Sequence, residues 1–360
     1  MLDFNELFED KTKYGTKLKT DQYQGNGKNI IVDQGQNDIA GYTNIEEGLF
    51  TDVPVIIFGD HTRVVKYVDR PFFLGADGTK ILKSKYLDAN YKYLYYALKY
   101  IRIPNTGYNR HFKWLKKTEF KYPTKEEQMQ IVFILDKIAN LIQKYTSQIK
   151  LLDDVIKARF VEMFGSIHEN KIYPYLSVKN ITTVYSGGTP NRKKIEYWEN
   201  GTIPWVKTTE LQNNHLSTIE ECITKEGLKN SSAKIIPAKS ILIAMYGQGK
   251  TRGMTAFLDI DSSTNQACAC LLSTTNINME YMWYYFQFSY NKLRGLAKGG
   301  NQPNLNLNMI KNFPVLVPPI ALQNQFADFV KQVDKSKFEI QKSLKKTQQL
   351  YDSLMQKYFG

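Results

Sequence analysis

A chain of 360 residues can hold two or three domains with real cores, and 42% hydrophobic against 23% charged residues excludes a disordered chain. Its 48 Lys and Arg outnumber 35 Asp and Glu, and the formal net charge of +13 favours an anionic partner, of which nucleic acid is the commonest. Three cysteines, Cys222, Cys268 and Cys270, and four scattered histidines form neither a disulfide framework nor a zinc-finger spacing, so no metal site is expected.

The opening Met1-Leu2-Asp3-Phe4-Asn5-Glu6 lacks the basic start and apolar run of a signal peptide. No later apolar stretch is long enough to span a bilayer, so a cytoplasmic protein without membrane contact is expected. Tyr14-Gly15-Thr16-Lys17-Leu18 precedes the first expected strand. A buried strand over Val53–Phe58 runs into a polar loop, Gly59-Asp60-His61-Thr62-Arg63. Leu94–Leu98 reads as a short amphipathic helix, followed by the polar stretch Asn105–His111. A long helix follows, opened by Pro123 and closed by Gly165. The order then recurs: a buried strand, Ile241-Leu242-Ile243, and a Gly-rich loop with Lys250 and Arg252; a short helix over Trp283–Gln287; the polar stretch Gly299–Asn304; and a long helix between Pro318-Pro319 and Gly360.

Within the long helices the repeat is gap-free. Moving from Pro123 to Pro318, 195 positions on, carries Gln128 onto Gln323, Ile131 onto Phe326, Ile138 onto Val333 and Phe164-Gly165 onto Phe359-Gly360. Each copy follows a heptad. In the first, Ile131, Ile138, Tyr145 and Leu152 form one row, and Leu135, Ile142, Ile149, Ile156 and Met163 the other. A seam this narrow on a rod of ~60 Å needs a partner helix, and the second copy supplies one. The short helices pair less closely, Leu94 aligning with Trp283 and Tyr95-Tyr96 with Tyr284-Tyr285; these tyrosines sit at core spacing.

Ala244-Met245-Tyr246-Gly247-Gln248-Gly249-Lys250-Thr251 fits a loose phosphate-binding loop, but Arg252–Asp259 reads as another strand where a nucleotide site needs a helix. The Gly-rich loop and Asn/Asp-Pro-Pro-aromatic motif of a base methyltransferase do not occur, nor do clustered nuclease carboxylates or a nucleophile with its base. No catalytic residue and no cofactor are expected. The loops instead carry side chains suited to base edges and phosphates. The candidates are Gln34, Gln36, His61, Arg63, Tyr108, Asn109 and Arg110 in the first half, and Lys207, Thr208, Tyr246, Gln248, Lys250, Arg252, Gln302 and Asn304 in the second. An enzyme, either a nucleotidase or a self-contained modification enzyme, and an adaptor recruiting proteins through its helices without reading DNA stand as the alternatives.

Ser186-Gly187-Gly188-Thr189-Pro190, Tyr197-Trp198 and Gly201-Thr202-Ile203-Pro204-Trp205-Val206 resemble the start of a target-recognition domain in the specificity subunits of type I restriction–modification systems. Phe58–Arg63 followed by Gly75-Ala76-Asp77-Gly78 resembles it in the first half, although Tyr14–Leu18 lacks the Gly-Gly-Thr-Pro form. The Pro-x-x-x-x-Gln helix openings, at Pro123 to Gln128 and Pro318 to Gln323, match that family's spacer regions, with Leu322 in place of the usual acidic residue. The resemblance implies a mixed α+β chain with an internal pseudo-two-fold duplication: two globular α/β target-recognition domains, 1–122 and 166–317, and two long antiparallel coiled-coil helices, a central spacer at 123–165 and a distal one at 318–360. It further implies a non-catalytic protein that reads a bipartite site on double-stranded DNA, one half per domain. Its partners would be two methyltransferase (modification) subunits and a restriction/translocase subunit.

Overall fold

Val55-Ile56-Ile57-Phe58 and Ile241-Leu242-Ile243-Ala244 are apolar at every position, a pattern that suits strands covered on both faces. Both are fully buried in the computed structural model, which describes residues 1–75, 77–107, 109–167, 170–247, 249–297 and 303–360. The chain divides into two compact units: Met1–Ser147 with Ile340–Gly360, and Gln148–Glu339.

In the first unit, Val55–Gly59 lies in a four-stranded antiparallel sheet ordered Phe8–Asp10, Thr79–Ser84, Val55–Gly59, Val65–Val68. A second sheet runs Gly41–Thr43, Asn29–Val32, Phe72–Leu74, its last pair parallel. In the second unit, Ile241–Ala244 lies in a five-stranded sheet ordered Val184–Ser186, Cys268–Leu271, Ile241–Ala244, Thr255–Leu258, Asn214–Leu216. Its edge strand Asn214–Leu216 pairs parallel. The smaller sheet runs Cys222–Ile223, Ile203–Val206, Ser263–Thr264, again with the last pair parallel. Apart from that edge strand, the two units share one strand order.

Each unit adds a ten-residue helix, Tyr91–Tyr100 or Met279–Phe288, capped by the side chain of Asn90 or Asn278. The buried Tyr93 hydroxyl donates to Lys121 O at 2.8 Å, and Tyr281 donates to Leu316 O at 3.0 Å. Caps and hydroxyls together align Tyr95 with Trp283 and Tyr96 with Tyr284. The sequence alignment of these helices is therefore corrected by one residue, because an aromatic run fits itself in either register and only the cap breaks the tie.

The long helices are Lys125–Phe164 and Ile320–Phe359, 40 residues each. Thr124 and Glu127 cap the first reciprocally: Glu127 accepts from Thr124 N at 3.0 Å, and Thr124 Oγ1 accepts from Glu127 N at 3.3 Å. Gly165, at φ +75°, ends it in the left-handed region. The Pro-x-x-x-x-Gln spacing has a direct cause. Gln128 Nε2 folds back to donate to Pro123 O at 3.0 Å, and Gln323 Nε2 donates to Pro318 O at 2.7 Å, both glutamines being buried. Along the first helix the two heptad rows are buried or half-buried, while most intervening positions are exposed. In the first unit, Leu135 from the N-terminal half of one long helix shares a core with Met355 from the C-terminal half of the other, beneath Tyr96. In the second unit the halves are exchanged: Phe160 packs edge-on against Phe326 at 5.3 Å and stacks on Tyr281 at 5.7 Å, and Lys337 pairs with Asp153 at 2.5 Å. No helix among the described residues is long and apolar enough to cross a membrane.

Candidate nucleic-acid interface

In the first unit, four segments meet beside the larger sheet, their described parts being 33–38, 59–64, 77–78, and 103–107 with 109–111. Of their organisers, Asp60, His111 and Lys66 are buried and Gln34 is half-buried. Asp60 N donates to Gly78 O at 2.7 Å, Asp60 O accepts from His111 N at 2.7 Å, and Asp60 Oδ1 accepts from Phe112 N at 2.6 Å. Gln34 bridges three segments: its Nε2 donates to Asp77 O at 2.6 Å, its Oε1 accepts from His61 N at 3.1 Å, and its carbonyl accepts from Thr62 Oγ1 at 2.6 Å. Lys66 is buried, and its ammonium donates to Asn37 O at 2.5 Å with Asp33 at 3.5 Å. Burial pulls Lys66 below the usual lysine range, against the opposing Asp33 carboxylate.

Gln36, Asn109 and Arg110 are exposed, Asn109 donating from its side chain to Thr106 O. His61 is half-buried. Arg63 folds back, Nη1 donating to Ile103 O at 3.1 Å. Tyr108 lies outside the described residues. Gln36, Arg63, Lys66, Lys99 and Arg102 line a cleft of about 680 Å³ between these loops and the end of the Tyr91–Tyr100 helix.

In the second unit, the loop after Ile241–Ala244 returns directly in strand Thr255–Leu258, so the helix of a phosphate-binding loop is replaced by a strand. Arg294 carries this loop. Its Nη1 donates to Arg252 O at 2.6 Å and its Nη2 to Gly249 O at 2.9 Å, while Tyr290 Oη donates to Lys250 O at 2.6 Å. Tyr246 and Lys250 are left exposed. The Arg252 guanidinium turns inward to Pro303 O. Lys207 N donates to Glu210 at 2.7 Å, with Glu220 at 3.5 Å from its ammonium, and Thr208 opens the short helix Thr208–Glu210. Asn304 is half-buried, and Gln248 and Gln302 lie outside the described residues.

The Gly-Gly-Thr-Pro segment forms a structural knot. Trp205 Nε1 donates to Gly188 O at 3.0 Å, and a Cβ on Gly188 would meet the backbone of Ser232 and Ala233 at 2.4 Å. Arg192 lies 3.6 Å over the Trp198 ring and 4.6 Å over Trp205 while pairing with Glu221.

Asp60, His111, Lys66, Tyr290 and Arg294 were not picked out from sequence. Only Lys66 carried a usable signal: in Val65-Lys66-Tyr67-Val68 it alternates in phase with Val68, on the buried face. Among the described residues, no group of three or more His, Cys, Asp or Glu could hold a metal ion.

These observations define a chain of two like α/β units, each presenting a polar, cation-bearing loop cluster on a sheet. Residues 173–350 match the family described as the type I restriction modification DNA specificity domain. The chain is 28% identical over 345 residues to the type I restriction enzyme EcoR124I/EcoR124II specificity subunit of Escherichia coli, covering 91% of this chain and 84% of that one. It is 22% identical over 260 residues to the MjaIX specificity subunit of Methanocaldococcus jannaschii, covering 68% and 60%. Its fold matches the crystal structure of the type I system S subunit from M. genitalium with a TM-score of 0.62 at 18% identity, over 99% of this chain and 94% of that one. Residues 173–350 thus carry a type I restriction modification DNA specificity domain, and the chain as a whole is similar to type I restriction enzyme specificity subunits.

Proposed function

We propose that the chain reads a bipartite site on double-stranded DNA, with domains 1–122 and 166–317 each recognising one half. The observation carrying this reading is the shared strand order of the two units, each with a cation-bearing loop cluster extending from its central strand. Base edges are read by exposed side chains: Gln36, Asn109 and Arg110 in one domain, Tyr246 and Lys250 in the other. Tyr108, Gln248 and Gln302, outside the described residues, are base readers by residue type alone. Gln34, Arg252, Lys207 and Thr208 act by shaping the loops, and His61 and Asn304 border the sets.

The duplicated helices, 123–165 and 318–360, pair antiparallel along their heptad seams and set the spacing between half-sites. Two modification subunits dock on this frame and perform methyl transfer, and a restriction/translocase subunit joins them. The chain itself performs no chemistry and works in the cytoplasm.

Genome-wide methylation mapping in cells carrying the chain with its modification subunit tests this. The expected result is one bipartite motif with a fixed, unspecified spacer. A continuous motif, or methylation independent of the chain, overturns it.

A further inference from the structure

The turn joining strands Val55–Gly59 and Val65–Val68 holds a side chain in an unfavourable place. Arg63 N donates to Gly59 O at 2.7 Å, and Gly59 N donates to Val64 O at 2.8 Å, which closes the hairpin. Arg63 occupies the left-handed region at φ +63°, where hairpins of this kind ordinarily place glycine. A backbone that would be relaxed with glycine carries an arginine instead, and strain kept at one residue points to use of its side chain.

That side chain enters the 680 Å³ cleft. One donor is satisfied by Ile103 O at 3.1 Å, whereas Nε is buried and has no hydrogen-bond partner among the described residues. Lys99 and Arg102 line the same cleft, are exposed, and form no ion pair among the described residues; Asp38 is its sole lining carboxylate. Beside Lys66, whose ammonium is taken by Asn37 O and Asp33, three further cations, one with an unsatisfied planar donor edge, surround a space suited to a tetrahedral anion.

We propose that this cleft seats a phosphate group of the DNA backbone, and that Arg63 holds phosphate and does not read a base. The proposal rests on the DNA-reading function above. A backbone seat anchors the domain in every sequence and carries no sequence information itself. A free phosphate ion shares the chemistry, and the test separates the two.

Arg63→Gly removes the guanidinium while relaxing the turn, and the exposed Arg102→Gln removes a cation without touching it. The full chain, assembled with its modification subunits, is titrated with duplex carrying its methylated motif at several salt concentrations. Each variant should bind about three- to tenfold more weakly near physiological salt, and the slope of log K against log salt should lose ~0.9. The melting temperature of Arg63→Gly should stay within about 3 °C of wild type, and the motif methylated in cells should be unchanged. An altered base preference in one half-site would make Arg63 a base reader and overturn the proposal. So would slopes equal to wild type, including the case in which inorganic phosphate raises the melting temperature of wild type but not of Arg63→Gly, which would assign the seat to a free anion. A wild-type complex that binds no DNA sinks the functional reading and the seat together, whereas intact wild-type binding with unchanged variants sinks the seat alone.

Discussion

Lengthening both long helices by one heptad tests whether they measure the DNA. The compact units divide between Ser147 and Gln148 on the first helix and between Glu339 and Ile340 on the second, so insertions at these two points leave the core of each unit intact. Seven residues at 1.5 Å lengthen each helix by ~10 Å and keep the apolar rows in phase. Base pairs rise 3.4 Å each, so a spacer set by the helices should grow by about three base pairs. Three base pairs also rotate one half-site by roughly 100°, given about 10.5 base pairs per turn. Activity on the longer site therefore requires the lengthened pair to twist with the duplex. The assay is methylation mapping of the double insertion in cells. A protein that stays active with an unchanged spacer refutes the helices as the ruler. A single insertion should fail on both sites, because it puts the seam of one unit out of register with its partner rows.

Further outcomes follow from individual contacts. Phe160 is fully buried against Phe164, Tyr281, Phe288 and Phe326, so Phe160→Ala should destabilise the second unit by about 3–5 kcal/mol in denaturant unfolding; a loss under 1 kcal/mol would contradict the packing. Arg294→Met removes the donors that hold the 249–252 carbonyls and should relax recognition of one half-site while sparing the other; loss of both halves together would refute a local role. Burial raises the carboxyls of Asp334 and Glu280 above the usual range, against Lys337 at Asp334 and His215 at Glu280. The folded chain therefore keeps these protons to higher pH than the unfolded one, and their stabilising effect, full below about pH 4, declines as pH rises through the raised values. Asp334→Asn keeps an acceptor for Tyr284, at 3.3 Å in the native protein, and removes one titration; its melting temperature should fall less than that of wild type as pH rises from about 4 through the raised value to neutrality, and equal falls would count against this account.

The heptads were legible because burial along a helix reduces to one repeating phase, and Leu135, Ile138 and Ile156 are buried where the rows place them. Phe160 and Phe164 lie off those rows. They face the globular core of the second unit, a demand that a two-helix pattern does not encode. The strand order was not legible, since pairings such as Ile31 with Phe73 join three- and four-residue strands about 40 positions apart. In the loops, composition identifies polar side chains but not their direction. Gln34 and Gln36 are two residues apart; one bridges three segments from within, and the other points to solvent. The same ambiguity separates Arg252 from Lys250.

The division of the chain also bears on its synthesis. The first unit draws residues 340–360 from beyond the whole of the second. At roughly 5–20 residues per second, ten to forty seconds pass between translation of Ser147 and of Ile340. During that interval Tyr96 and Leu135 lack Tyr351, Leu354 and Met355, which later cover them. The later-encoded unit, whose residues are continuous, can complete its core first, and the earlier one closes last. A released chain ending at residue 339 would thus carry a finished second unit and an open apolar seam on the first, the species on which chaperones and proteases would act.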